Sequence, residues 1–404
     1  MVPKGWSYCR LEELSKIIDC KHRTPVYVAD GVPVISPGTI KWGPIDLVTP
    51  VKRVTYEDYQ SLMDHCQIDI GDLVMSRNQS VGVVSYIDKN QPFVLGQDTV
   101  LLKPRHIDSS FLFQFFQSVP FQRAITKQSG GSTFARINLG VIKELTIVTP
   151  PLPEQRKIAQ ILSIWDKAIA TTERLLANKQ QQKKALMQRL LTGKQRFSGF
   201  EGEWKTVKFE DVLKIEIGGT PSRAKPEYWD EQKVTNNRWL SIANLQGSRI
   251  FDTSEYISDL GVSNSNVALI PRGTIVMSFK LTIGRRAILM NDCYTNEAIC
   301  ALIIKDRAVV SNDFLYQAIE LVDFESEIDQ AIKGKTLNKE KLKRLKLLLP
   351  NIEEQHKIAS TLSVADAEIA TIQNQLDNLK LQKKALMQQL LTGKRRVKVD
   401  EAAA

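Results

Sequence analysis

Arg77, Asn78 and Gln79 stand together in "SRNQSVG" (Ser76 to Gly82), and Lys280, Arg285 and Arg286 stand in the similar run "SFKLTIGRR" (Ser278 to Arg286). Arginine can pair two N–H groups with a guanine edge, and asparagine or glutamine can do the same with adenine. The small residues beside them let backbone N–H groups approach phosphates. A second matched pair, "KQSGGSTFARIN" (Lys127 to Asn138) and "IKGKTLN" (Ile332 to Asn338), adds Lys127, Arg136 and Lys335. With Lys41 and Arg223 these residues make the candidate DNA-contacting set. Each loop taken alone could equally be a solvated turn.

Other chemistries find less support. "GKT" at Gly334 to Thr336 looks like the end of a phosphate-binding loop, but Asp329 stands where its leading glycine should be. Asp-Pro-Pro-Tyr and Asn-Pro-Pro-Phe tetrapeptides, which hold a flipped base in amino-methyltransferases, are absent from the sequence, and so is any G-x-G-x-x-G. Cys20, His22, His65 and Cys66 could be gathered into a zinc tetrad, yet neither pair has finger-type spacing. No catalytic or metal-ligating residue is therefore assigned.

The elements that must position these loops are written twice. "QKKALMQRLLTGK" (Gln182 to Lys194) returns as "QKKALMQQLLTGK" (Gln382 to Lys394), and over Glu154 to Lys194 25 of 41 positions recur at an offset of 200. Ile158, Leu162, Trp165, Ile169, Thr172, Leu176, Lys179, Lys183, Leu186 and Leu190 step by fours and threes, as do Ile358, Leu362, Ala365, Ile369, Ile372, Leu376, Leu379, Lys383, Leu386 and Leu390. That is a heptad seam, so each segment is expected to be one long helix of about 38 residues and roughly 57 Å. Asn351 is the expected N-cap of the second, with Glu354 three residues on, and Gly193 and Gly393 are expected C-caps. Polar Thr172, Lys179 and Lys183 make the first seam less self-sufficient, which favours pairing of the two helices over two independent surface helices.

Before each helix lies a region of short β-type runs and turns. "GVPVIS", "GDLVMS", "VGVVSYI" and "DTVLLKP" precede the helical "SSFLFQFFQSV"; "RWLSIA", "GTIVMSF", "RRAILM" and "AICALII" precede "SNDFLYQAIELV". The regions align through Gly71 and Gly273, Met75 and Met277, Asn138 and Asn338, Leu145 and Leu345, and Pro150 and Pro350. The expected domains are 1–150, a helix over 151–194, a linker at 195–204, a second domain over 205–350, a helix over 351–394 and a tail at 395–404. A linker of about ten residues reaches at most ~35 Å, too short to return along a 57 Å helix. The helices should therefore run antiparallel, with the globular parts at opposite ends and a pseudo-two-fold between the halves.

The 404 residues carry net charge +10, a weak pointer to an acidic partner. The excess is +2 over 1–150, +7 over 151–200, 0 over 201–350 and +1 over 351–404, so the globular parts can bind DNA only through local patches. Five cysteines without a C-x-x-C argue against a disulfide framework and, with no apolar run long enough to span a bilayer, suggest a soluble cytoplasmic chain. The closing "DEAAA" reads as an expression scar.

"GGTPSRAKPEYW" with "RWLSIANLQ", "CKHRTP" with "GVPVIS", "TNEAICAL", and above all "PPLPEQRKIAQIL" and "LPNIEEQHKIASTL", each running into "KKALMQ", resemble the specificity subunit of Type I restriction–modification systems over almost the whole chain. The resemblance implies a mixed α/β chain: two α+β target recognition domains joined by a coiled coil of two long antiparallel helices. Each domain would read half of a bipartite, asymmetric sequence in double-stranded DNA. It also implies a non-catalytic chain. Two modification subunits, carrying the S-adenosylmethionine site, would dock on helix residues for which Gln155, Ile158, Leu162, Leu186, Leu190, Gln355, Ile358, Leu362, Leu386 and Leu390 are the candidates. Restriction subunits using ATP and Mg, two where present, would join them. The rival readings are a single-chain DNA enzyme, disfavoured by the missing motifs, and a coiled-coil adaptor without DNA contact.

Overall fold

A computed structural model describes residues 3–49, 52–129, 135–280, 282–327, 329–331 and 334–399, with side chains undescribed at 327–336. The chain forms two compact units, one of Met1–Arg174 with Asn374–Ala404 and one of Leu175–Gln373. The boundaries differ from those expected because each unit takes part of both long helices, Leu152–Leu190 and Ile352–Leu390, each of 39 residues. Among the described residues no helix is long and apolar enough to cross a membrane.

The two units repeat one topology. In the first, a five-stranded sheet has the order Ser15–Asp19, Thr99–Pro104, Leu73–Ser76, Val84–Tyr86, Gly43–Pro44. In the second the order is Leu213–Ile217, Ile299–Ile304, Ile275–Ser278, Arg286–Leu289, Arg249–Ile250. Both are antiparallel except at the last pair, which is parallel. A three-stranded sheet accompanies each, Lys52–Val54, Val32–Ile35, Val94–Leu95 in one and Glu255–Tyr256, Arg238–Leu240, Tyr294–Thr295 in the other. Leu73–Ser76 and Ile275–Ser278 are buried on both faces, which is why they read as continuous apolar runs. The expected helical runs form at Ser109–Phe116 and Asn312–Ala318.

Each domain sits on both helices of its unit. In the first, Ile158, Ala159 and Leu162 join Met387, Leu390 and Leu391 in one core with Met75, Phe111 and Phe116. In the second, Ile358, Ala359 and Leu362 join Met187, Leu190 and Leu191 around Phe209, Met277 and Phe314. The helices run antiparallel within each unit: Asp166 pairs with Lys383 and Glu173 with Lys380 in one, and Lys179 with Glu368 and Lys183 with Asp366 in the other. The polar seam residues thus have partners. Lys383 reaches Asp166 at 2.6 Å, and the same carboxylate accepts from Gln114 of the domain; Lys183, Asp366 and Gln317 repeat the arrangement.

The glutamate that opens each repeat is buried. Glu154 accepts from Trp6 Nε1 at 3.0 Å and from two nitrogens of Arg396; Glu354 accepts from Trp204 Nε1 at 3.2 Å and from two nitrogens of Arg196. The next residue ties the domain to the helix. Gln155 accepts from the backbone N–H of Asp108 and donates to Pro150, while Gln355 accepts from that of Ser311 and donates to Pro350. Asn351 caps the second helix through the Glu354 N–H, and Gly193 and Gly393 end the helices in the left-handed region at φ +70° and +71°.

Leu162 and Leu362 are both fully buried, so Leu162→Ala or Leu362→Ala should cost about 2–5 kcal/mol, read as a lower urea midpoint.

Candidate nucleic-acid interface

The "SRNQSVG" and "SFKLTIGRR" runs are the hairpin turns that follow the central sheet strands, and one hydrogen-bond scheme builds both. Ser76 Oγ donates to the Asn78 carbonyl at 2.6 Å and Ser278 Oγ to that of Thr282. The Gly82 N–H closes onto Ser76 at 2.9 Å and that of Gly284 onto Ser278 at 2.9 Å. Both glycines lie in the left-handed region, at φ +77° and +85°, where other residues are strained.

The first loop residue turns inward in both. Arg77 donates its backbone N–H to Asp98, and Phe279 donates its own to Ala298. Their carbonyls accept from Ile137 and Leu337. Phe279 is buried, and Arg77, 5% exposed, gives Nη1 to Asp19 at 2.7 Å and Nε to the Ile137 carbonyl. Arg77 therefore joins its loop to the sheet and is corrected from reader to scaffold: a sealed, ion-paired guanidinium has no open face for a base. Arg286 is also held, bonded to Tyr316 O and Glu320 and stacked 4.8 Å from the Tyr316 ring.

The remaining candidates are more open. Asn78 donates to Asp98 at 3.3 Å, Arg136 pairs with the same carboxylate at 2.8 Å, and the two residues bridge through their backbones. Gln79 is exposed, with its carbonyl oxygen beside Gly38. Lys41 is exposed and anchored through its backbone to Ser85; Lys127 is exposed on the helix Val119–Gln128, which packs Ile125 behind Gly82. In the second unit Lys280 is half-buried and Arg285 exposed. Arg223 lies 3.6 Å from the Trp229 ring centre and 5.0 Å from that of Trp239, and pairs with Glu255. Lys335 is on the strand Gly334–Thr336, but its side chain falls outside the described residues, as do Gly130 to Phe134 of the matching loop.

Two contacts at this edge escaped the sequence reading. Gln97 Nε2 donates to Thr24 Oγ1 at 3.0 Å, and Thr220 Oγ1 donates to the Glu297 carboxylate. The threonine hydroxyl, helped by nearby Lys280 and Arg223, holds the Glu297 carboxyl below the usual carboxylate range. The signal was available, because Thr24-Pro25 and Thr220-Pro221 align. Of the zinc tetrad considered, Cys20 and His22 lie with Asp19 within 4.8 Å, while His65 turns its Nε2 to the Asp19 carbonyl. Asp19 is engaged by Arg77, and burial pushes the Cys20 thiol up, away from the thiolate a metal would take.

The docking candidates are corrected as a set. Gln155, Ile158, Leu162, Leu190, Gln355, Ile358, Leu362 and Leu390 are buried within their own units, and Leu186 and Leu386 are half-buried against the same cores. A residue packed inside the seam cannot also face another protein. The first unit also has a groove of about 670 Å³, whose lining includes Trp42, Tyr86, Phe113, Gln114, Asp166 and Glu173.

Arg77→Ala should lower the stability of the first unit by about 1–3 kcal/mol by removing the buried guanidinium's bonds to Asp19 and the Ile137 carbonyl. Gln79→Ala should change it by less than about 0.5 kcal/mol. Chemical denaturation of the two variants checks the assignment.

The family model described as "Type I restriction modification DNA specificity domain" matches residues 3–178 and again 201–381. A putative type I restriction enzyme MjaX specificity subunit of Methanocaldococcus jannaschii is 25% identical, covering 98% of this chain and 95% of the relative. The MjaVIII specificity subunit of the same organism is 23% identical over 76% of this chain and 75% of its own. The Type I S subunit from M. genitalium superposes with a TM-score of 0.62 at 15% identity, covering 96% of each chain, and so shares the fold.

Proposed function

The chain belongs to the Type I restriction–modification DNA specificity family, whose work is DNA target recognition, and we propose that its two sheet-rich domains read the two halves of a bipartite, asymmetric target. The observation that carries this reading is the contrast between frame and readers. The domains share strand order, hairpin bonding and mounting, yet Asn78 stands where the other domain has Lys280. Two copies of one reader would serve a symmetric site. Two unlike readers on one frame suit an asymmetric one.

The helices then receive two modification subunits, which supply methyl transfer with S-adenosylmethionine, and restriction subunits using ATP and Mg complete the assembly where present. Recurrence of the exposed Lys157, Gln182, Lys184 and Gln188 as Lys357, Gln382, Lys384 and Gln388 supports this, since two copies of one partner need two copies of one surface. The contact falls on outward helix residues, not on the packed seam. Asn78, Gln79, Arg136, Lys41 and Lys127 serve the first half-site, and Lys280, Arg285, Arg223 and Lys335 the second. The chain itself reads and does not react.

Helix length sets the gap between half-sites on this reading. One heptad inserted at matched places in both helices should lengthen the gap in the methylated motif by up to roughly three base pairs, because seven residues add about 10.5 Å. An unchanged gap would count against the ruler.

A further inference from the structure

We propose that Gln97 and Glu297 are a matched pair of specificity-determining residues, Gln97 taking an adenine edge in one half-site and Glu297 the amino group of a cytosine in the other. The inference rests on the functional reading above and adds the residues and bases that make the halves unlike.

Gln97 stands two residues before the strand Thr99–Pro104 and Glu297 two residues before Ile299–Ile304. Those strands pair with the ones that carry the hairpin turns, through Ser76 with Thr99 and Ser278 with Ile299. The intervening residue accepts the first N–H of the turn, from Arg77 to Asp98 and from Phe279 to Ala298. Both side chains are thus held beside the turn by one backbone scheme, and both are exposed. Each is steadied by the threonine of an aligned Thr-Pro pair, Thr24 or Thr220. Among the described residues Thr24 engages one amide hydrogen of Gln97, and the other, with the carbonyl, can meet the acceptor and donor of adenine N7 and N6.

Glu297 is the more telling member. An exposed carboxylate at a DNA-facing edge is repelled by phosphates unless it meets a donor, and in the major groove cytosine N4 is the donor that a carboxylate recognises. Among the described residues Glu297 forms no ion pair within 4.0 Å, unlike Asp98 beside Gln97, which Arg136 and Asn78 occupy. The Thr220 hydroxyl and the residue's own backbone N–H engage the Glu297 carboxylate in part, and its exposed side can accept a further donor. The Thr220 hydroxyl first, and Lys280 and Arg223 after it, favour the charged carboxylate, which is an acceptor.

The test uses the full chain bound to its modification subunit, with Glu297→Gln and Gln97→Glu made separately, each measured by methylome sequencing and by competition binding to duplexes substituted one base at a time. Glu297→Gln should relax or change one cytosine position in one half-site, lowering discrimination there roughly 5- to 150-fold, and leave the other half-site intact. Gln97→Glu should do the same at one adenine of the other half. Thermal melts equal to the parent's establish that neither change acts through folding; if one variant melts early, the Ala variant at that position is read instead. A split motif left untouched by both substitutions, or weakened uniformly at every position, overturns the assignment. A parent chain that yields no split motif overturns the functional reading instead.

Discussion

A buried carboxylate at the start of each long helix holds the architecture together. Glu154 and Glu354 lie inside the protein, where an unpaired charge is costly, and each is satisfied by one tryptophan N–H and a two-nitrogen grip from an arginine. The partners are far from the glutamates in the chain: Trp6 and Arg396, from its two ends, for Glu154, and Arg196 and Trp204, from the segment between the halves, for Glu354. The ion pair therefore ties the domain's first strand, the start of one helix and the segment after the other helix into one corner. Gln155 and Gln355, next in sequence, extend it by holding the residues just before the domain helices, Asp108 and Ser311, through their backbone N–H groups. With the corner fixed, the apolar seam from Ile158 and Ile358 onward can set where each sheet sits.

Much of this was legible because a repeat is a comparison built into one chain. The heptad steps gave two helices, and the linker length gave their direction, which is the direction found within each unit. Runs such as "GTIVMSF" gave central strands because burial on both faces leaves no polar alternation to misread. The short strands Gly43–Pro44 and Arg249–Ile250 were not legible, since a two-residue parallel pairing at a sheet edge has no periodicity. The docking residues misled for a different reason. Apolar spacing shows that a helix face is covered, not by what, and here the cover is the chain's own domain.

The binding edge was half legible. Arg77 has the side chain of a base reader, but the register that places Phe279 in the core places Arg77 there too, and Asp19 makes the position tolerable for a charge. Gln97 and Glu297 went unnoticed although Glu297 lies within "TNEAICAL", because it takes the fold to bring each beside a hairpin turn and a threonine from the start of its domain. The general lesson is that a shared backbone scheme sorts residues into scaffold and reader more sharply than residue type does. Positions that keep their contacts in both domains hold the frame, and exposed positions that differ are free to discriminate.

The central claim is that one frame presents two unlike readers. Long-read methylome sequencing of a host carrying this chain with its modification subunit, against the same host without the chain, tests it most directly. The account predicts one new motif made of two different half-sites around a fixed gap. A palindromic or unbroken motif, or no new motif despite a stable complex, would contradict it.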